Sequence, residues 1–461
     1  MSEQPEDKYI RYNILELRSQ HPKKFGRYIM ALKNLINSDD WARICGIHGN
    51  TFNPHDKHVK CPTDPEVVTK IGATGEPYYC KHGVYSFIAW HSPYVYQYEL
   101  LLNKHNKSKN RDYITLPWLE LTDQSDDYSF INDPEITILY DSKFITTENP
   151  LSTAYYYVNG VRTRITRNGF LTPTNNKQYT QLMNVKKQLH QTLNATNYEE
   201  FSSTANKEVD YTPLEIPHNS LHNIIGGEGG NMSSIDIAGF DPLFWMHHCN
   251  MDRYYYQWYS TITDNFSKPL YPDLITEDTM NAPCAPFFKN NTYSVDPRHY
   301  EYGWKNCTGK YAQVSDILDI NKFPYTYSEL PMPLLQAGFN SYVLLKNVNI
   351  PPESLEINVY IHLAGEKLDR NKDFAGSAFW FGINQEEIHC ARCKSIVTNF
   401  KIDIDNFVNE HNINSSNLPN YNILIEGRGL LIRDKENKGF KTYYEKDLVE
   451  EDNISIVIPS A

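Results

Sequence analysis

His218 and His222 stand four residues apart, and the pair His247-His248 begins 25 residues after His222. A spacing of four puts two imidazoles on one helical face. Three neutral imidazoles drawn from two helices can bind a transition ion and leave positions open for an outside ligand, as copper, zinc or iron chemistry requires. The pair alone fits two surface histidines on a polar helix equally well. A second set lies upstream: His48 in WARICGIHG, His82 in CKHG and His91 in AWHSPY. Two three-histidine sets with no thiolate or carboxylate among them suit two copper ions better than structural zinc, which favours cysteine. His55 and His58, in the polar stretch NPHDKH, read as a solvated loop, while His389 adjoins Cys390 and Cys393 in HCARC, where a metal role is conceivable.

These side chains need elements to hold them. Asp241 is an N-cap, Pro242 takes the first helical position, and no breaker follows until beyond Trp258. On that helix Phe244 and Asp252 flank His248 by one turn each, so Asp252 is expected to help orient a ligand imidazole. His247 shares its stripe with Leu243 and Met251, which makes His248 the better ligand. Residues 10–36 predict one or two amphipathic helices broken near His21-Pro22, and residues 90–103 predict another. The stretch 105–180, rich in Asn, Tyr and Pro, reads as loops and short strands.

Beyond Leu330 the pattern changes. Leu355, Ile357, Val359, Ile361 and Leu363 alternate with Glu356, Asn358, Tyr360 and His362, the period of a half-buried strand with His362 facing solvent. Further strand-like runs are 341–350, 377–383, 395–404, 421–432 and 453–458, which together make an antiparallel β-domain. The chain is read as a domain over 1–330, a connector over 331–340 and a β-domain over 341–461.

The composition excludes several classes. Forty-four Lys and Arg against 56 Asp and Glu leave a formal charge of −12 without a long basic block, which argues against nucleic-acid or membrane-surface binding. No run of about 18 apolar residues exists to span a bilayer. The opening MSEQPEDKYI is charged and lacks an apolar core, so no secretory signal is read and a cytoplasmic location is expected. Eight cysteines are too sparse for a disulfide scaffold.

The segment HNSLHN (218–223) followed by GFDPLFWMHHCNMDR (239–253) resembles the second copper region of tyrosinases, the coupled binuclear copper family that includes catechol oxidases and molluscan haemocyanins. The upstream IHG, CKHG and WHSPYVYQYE segments are similar to the first copper region. The resemblance implies a mainly α catalytic domain, a four-helix bundle holding two coppers with long loops, followed by a C-terminal antiparallel β-sandwich that covers the active site. It makes His48, His82 and His91 ligands of one copper, His218, His222 and His248 ligands of the other, and His247 a neighbour. Cys80 matches the cysteine joined in fungal-type members to the histidine at His82 by a thioether; a buried free thiol is the alternative. Glu215 and Asn219 match positions holding a water proposed to deprotonate monophenols, although Glu215 could also be an ordinary helix N-terminal charge.

The same resemblance places Ile235 over the second copper and Phe244 against a ligand ring, although Phe244 could equally be a plain core phenylalanine. Tyr325-Thr326-Tyr327 matches the Tyr-x-Tyr signature that ends such catalytic domains. In fungal-type latent members the C-terminal domain lays an aromatic side chain over the coppers, and Phe381, nine before Cys390, has similar spacing. Phe379-Trp380-Phe381 could also be a strand packing on its own core. Cys390 and Cys393 match a Cys-x-x-Cys thought to load copper, and such a pair is a good soft ligand set for Cu(I). The implied activity is O2-dependent ortho-hydroxylation of small monophenols and oxidation of o-diphenols to o-quinones in a latent proenzyme. Catechol oxidase, o-aminophenol oxidase and a haemocyanin-like oxygen carrier are the alternatives within the family, and a zinc hydrolase is one outside it. The oligomeric state is not legible.

Overall fold

A computed structural model describes residues 8–49, 80–121, 127–158, 161–205, 212–262, 275–288, 311–331, 340–351, 353–382, 396–433 and 439–458. The chain divides into two compact units that do not follow sequence order. The first comprises residues 1–165, 195–205 and 236–332, and the second residues 166–194, 206–235 and 333–461. The 331–340 stretch therefore lies where the first unit passes into the second, while two earlier segments join the C-terminal residues.

The helices that position the site are α1 (Pro22–Ile36), α2 (Asp39–Gly46), α3 (Phe87–Lys104), α4 (Asn176–Thr192), α5 (Glu215–Gly226) and α6 (Pro242–Ile262). The strands are β1 (Tyr9–Arg11), β2 (Tyr325–Tyr327), β3 (Tyr342–Ile350), β4 (Leu355–Leu363), β5 (Phe374–Trp380), β6 (Ile396–Asp403), β7 (Tyr421–Arg433), β8 (Phe440–Tyr444) and β9 (Ile454–Val457). Among the described residues no helix is long and apolar enough to cross a membrane.

In the first unit, α1 begins at Pro22, where the proline lacks only an N–H that the first turn leaves unpaired anyway. Helix α3 is buried from Phe87 to Leu102 on every side, including its polar residues His91, Ser92, Gln97 and Glu99. It packs on α6 through aromatic pairs: Trp245 lies 4.0 Å from Tyr98, nearly parallel, and 4.7 Å from Tyr94. Asp241 caps α6 by accepting from the Leu243 N–H at 2.9 Å. Strand β1 pairs in parallel with β2, Arg11 opposite Tyr327.

In the second unit, two antiparallel sheets, ordered β5-β4-β7-β8 and β6-β3-β9, share one apolar core. Strand β4 corrects the alternation expected from sequence. Glu356, Asn358 and Tyr360 are buried like the apolar residues between them, while His362, near the end of the strand, is half-buried with an exposed Nδ1. The cause is α4, which covers the second face. Gln181 donates to Glu356 at 2.7 Å, Lys177 pairs with the same carboxylate at 2.7 Å, and Lys187 pairs with Asp403 at 2.9 Å and with Asp405. Glu356 is thus an interior carboxylate satisfied by a helix, whereas the buried Asn358 Oδ1 has no hydrogen-bond partner among the described residues.

Candidate metal centre

Four donors converge in the first unit. His48 follows α2, Cys80 and His82 lie in the irregular segment before α3, and His91 sits in the second turn of α3. Their nearest ligand atoms all lie within 4.8 Å of one another. The imidazole centroids form a near-equilateral triangle, 5.6 Å from His48 to His82, 5.6 Å from His82 to His91 and 5.8 Å from His48 to His91. His91 Nδ1–H donates to the Phe87 carbonyl at 2.8 Å. A carbonyl only accepts, so Nδ1 carries the proton and Nε2 keeps its lone pair. Desolvation, reinforced by neighbouring imidazoles, holds the pKa of both His82 and His91 well below the ordinary value. Both rings are therefore neutral, the form that binds a metal.

The Cys80 sulfur lies 3.1 Å from His82 Nδ1 and 3.8 Å from its Nε2. The ring edge carrying Cε1, the carbon between those nitrogens, therefore faces the thiol. Cys80 is buried and forms no disulfide among the described residues.

Helix α6 brings His248 to the same region. Its ring stacks on His91, with centroids 4.3 Å apart and planes 10° from parallel. Phe244 packs 4.3 Å from His248 and 4.6 Å from His48, wedged between two imidazoles. Asp252 does not behave as the helical spacing suggested. Its Oδ2 accepts from Tyr327 at 2.5 Å, Tyr325 at 2.8 Å and Arg11 at 3.3 Å. Arg11 also pairs with the buried Glu99 at 2.8 Å. Burial, the largest single influence, depresses the guanidinium pKa, but Glu99 together with Tyr325, Cys249 and Tyr327 outweighs it and holds the group charged. Asp252 thus fastens the Tyr-x-Tyr strand to α6 instead of orienting a histidine. Spacing along one helix could not show this, because the partners lie more than 70 residues away.

Burial pushes the pKa of His247 down to about 3. The unfolded group titrates near 6.5, so between those values the folded chain binds fewer protons than the unfolded one. Its contribution is intact above about pH 6.5 and is lost as pH falls towards 3, by at most about 1.4 kcal/mol per pH unit. The urea midpoint is expected to fall across this window, with a shallower slope in His247→Phe; parallel slopes would exclude the residue as a cause.

The second unit carries His218 and His222 on α5, fully buried, with centroids 4.6 Å apart at 69°. Each has an oxygen at Nδ1: Asn219 Oδ1 for His218 at 2.9 Å and the Met232 carbonyl for His222 at 2.8 Å. The Met232 contact depends on the glycine-rich turn after α5. Gly227 takes φ +63, and a Cβ on Gly226 would lie 2.3 Å from the Ser233 nitrogen, so the chain can fold back only without side chains there. Glu215, in the first turn of α5, is only 1% exposed.

The segment after β5 crosses this helix. The Phe381 ring lies flat on His222, 4.1 Å between centroids and 17° from parallel, and meets His218 edge-on at 6.0 Å. It is held by backbone. Asn223 donates to the Trp380 carbonyl at 2.7 Å, and the Ile235 N–H donates to the Gly382 carbonyl at 3.0 Å. Ser354 accepts from the Gly382 N–H at 2.8 Å and donates to the Ser233 carbonyl at 2.5 Å. Ser354 and the Met232 carbonyl carry no sequence signal of such roles, because both act through chain reversal. Cys390 and Cys393, with His55, His58 and His389, lie outside the described residues.

Buried neutral imidazoles, several with Nδ1 directed at an oxygen acceptor and Nε2 left as donor, fit the ligand set of a copper centre. A helical core carrying such histidines and followed by antiparallel sheets is the architecture of coupled dicopper proteins. Residues 38–261 match the family model described as the common central domain of tyrosinase. That match spans a little under half of the chain, and a tyrosinase-type fold with two histidine-rich groups fits a type-3 dicopper centre.

A tyrosinase of Podospora anserina is 27% identical over 336 residues, 60% of this chain and 57% of that protein. The match therefore spans little more than half of that relative. An oxygen-bound mutant of Aspergillus oryzae pro-tyrosinase superposes with a TM-score of 0.65 at 16% identity, over 100% of this chain and 96% of the other. Deoxygenated haemocyanin from Rapana thomasiana gives 0.66 at 18% identity, over 99% and 100%.

Proposed function

We propose that the chain is a latent phenol oxidase with monophenol hydroxylase activity, taking small phenols and O2 as substrates. His48, His82 and His91 would hold one copper, and His218, His222 and His248 the other. Bound there, a copper pair would supply together the two electrons that O2 takes up, which either ion alone could not provide without reaching an unfavourable state. The chain's own residues must neutralise, place and gate the phenol.

The observation that carries this reading is Glu215. A carboxylate 1% exposed, on the helix that bears His218, is poorly explained as a surface charge. It stands four residues before Asn219, on the same helical face. Asn219 Oδ1 is engaged by His218 Nδ1–H, leaving its Nδ2 to hold a water beside Glu215. A phenol has a pKa near 10, so a base that removes its proton at neutral pH favours hydroxylation, whereas catechol oxidation is less demanding. Glu215→Gln is expected to lower monophenol turnover by about 100-fold and catechol oxidation by no more than about threefold. Asn219→Ala should also weaken copper binding by about 10–100-fold, because His218 loses the acceptor that sets its tautomer. Equal losses on both substrates in Glu215→Gln would contradict its role as base.

Cys80 supports a sulfur bridge to His82. A bond from Sγ to Cε1 replaces one S–H and one C–H; both hydrogens leave as protons and their two electrons pass to O2. The copper-loaded, air-exposed chain is then two hydrogens lighter by intact mass, and Cys80→Ala matches its sequence mass. A parent mass with both hydrogens retained would leave Cys80 a free thiol. Cys390 and Cys393 are proposed as a transient Cu(I) site for loading.

The whole-chain likeness to Rapana haemocyanin favours a second reading, an oxygen carrier. One assay separates them. Copper-loaded protein, full-length and cut between Leu330 and Asn340, is offered tyrosine, a catechol and an aminophenol. Turnover of tyrosine supports the hydroxylase, turnover of catechol or aminophenol alone supports an oxidase, and reversible O2 binding without turnover after trimming supports the carrier.

A further inference from the structure

Apart from the histidines, the second unit holds a cavity of about 450 Å³, in the size range of small-molecule sites. Its floor is one row of the sheet β5-β4-β7. Glu356 is registered directly opposite Phe379 on one side and Arg428 on the other, so a ring, a carboxylate and a guanidinium stand side by side on one face, about 5 Å apart. Helix α4 covers that row with Lys177, Gln178 and Gln181, and Phe170 and Phe440 add two further rings to the lining.

The polar groups leave specific valences open. Glu356 Oε1 takes both Gln181 Nε2 and Lys177 Nζ at 2.7 Å, while Oε2 accepts no hydrogen bond among the described residues. Because Gln181 Nε2 donates to a carboxylate, the orientation of its amide is fixed, and the Oε1 end accepts nothing among the described residues. Glu356 and Gln181 are only 6% and 5% exposed, yet neither of these two oxygens is sealed from solvent, in contrast to Asn223 Oδ1. Gln178 is fixed the other way. Its Oε1 accepts from the Thr174 N–H at 2.7 Å, which leaves Nε2 as a donor without a partner among the described residues.

The charges of the lining cancel in pairs, Lys177 with Glu356 and Arg428 with Glu228, so an ion gains nothing there. Two nearly buried acceptors beside a donor call for a neutral ligand that both donates and accepts. A ligand with one hydroxyl would leave most of these valences unmet. The neighbouring rings call in addition for an apolar face. A pyranose has both, since its hydroxyls lie around the rim and its ring C–H groups pack on an aromatic surface.

We propose that this cavity binds a neutral hexopyranoside, its hydroxyls donating to Glu356 Oε2 and Gln181 Oε1 and accepting from Gln178 Nε2, with its C–H face against Phe379 and Phe440. The site uses no metal and stands whether or not the chain oxidises phenols.

The test uses full-length, copper-loaded protein and three probes in equilibrium dialysis, the methyl glycosides of glucose, galactose and mannose. At least one is expected to bind saturably with a Kd of about 1 mM, the affinity a ligand of this size reaches at ordinary efficiency. Sorbitol, which carries the hydroxyls without the ring face, should bind at least about tenfold more weakly. Gln178→Glu keeps the oxygen that bonds Thr174 and exchanges only the donor end for an acceptor, so it should keep the parent Tm and weaken binding by about tenfold. Phe440→Ala should weaken it by a similar factor through loss of a packing ring. Absence of saturable binding of all three glycosides, equal binding of sorbitol, or a parent-like Kd in Gln178→Glu overturns the site. None of the probes is a phenol, so failure of the oxidase reading leaves the result untouched.

Discussion

Phe381→Ala in the full-length, copper-loaded chain is expected to raise catechol oxidation by about 30- to 1,000-fold. The range follows from what holds the ring in place. Burying a phenylalanine contributes about 1.5–3 kcal/mol, and a stacked aromatic contact about 0.5–1.5 kcal/mol more. Each 1.4 kcal/mol is about tenfold in the population of an uncovered His222. The strand itself should stay docked, because Asn223, Ile235 and Ser354 hold it through the backbone of Trp380 and Gly382. The variant nevertheless loses about 3–5 kcal/mol of stability to the cavity left behind, so its Tm should drop while its rate rises. An unchanged rate, with copper retained and the lower Tm confirming the substitution, would show that Phe381 is core packing and not a cover.

His222→Ala carries the second large effect, in the opposite direction. Copper per chain is expected to fall from two towards one, and O2-dependent oxidation of catechol by at least about a thousandfold, since the chemistry needs both ions. His362→Ala, on β4, serves as the control and should change neither quantity. The readings are metal analysis and O2 consumption on the same samples, so that a lower rate caused by misfolding is separated from one caused by metal loss. Two coppers retained in His222→Ala would break the proposed ligand assignment.

Much of the site was legible because its signals are local. The Asp241-Pro242 start of α6, the spacing of His218 and His222, and the period of two along β4 each describe an element within a few turns of itself. What was not legible depends on returns of the chain. The second face of β4 reads as polar and solvent-facing, yet it is interior because Lys177 and Gln181 neutralise and bond Glu356. Helix α4 was hidden in an Asn-rich stretch, although Asn175 caps it by accepting from the Gln178 N–H at 3.0 Å, and Leu182, Val185 and Leu189 recur at helical spacing. Asp252 sits one turn from His248, but its bonds go to Arg11 and to two tyrosines at the far end of the first unit. The acceptor that orients His222 is a main-chain carbonyl, which any residue at position 232 would supply. Periodicity reports which face is covered and is silent on what covers it.

The parallel pairing of β1 with β2 has a consequence for biogenesis. Arg11 leaves the ribosome early, while Tyr325 and Tyr327, which share Asp252 with it, emerge more than 300 residues later. Throughout that interval the guanidinium lacks the full set of partners it has when buried, and loop closure over such a span is slow. The amino-terminal strand is therefore among the last pieces to settle, and a nascent chain interrupted before the Tyr-x-Tyr strand leaves an unsealed amino-terminal edge for chaperones or proteases to find.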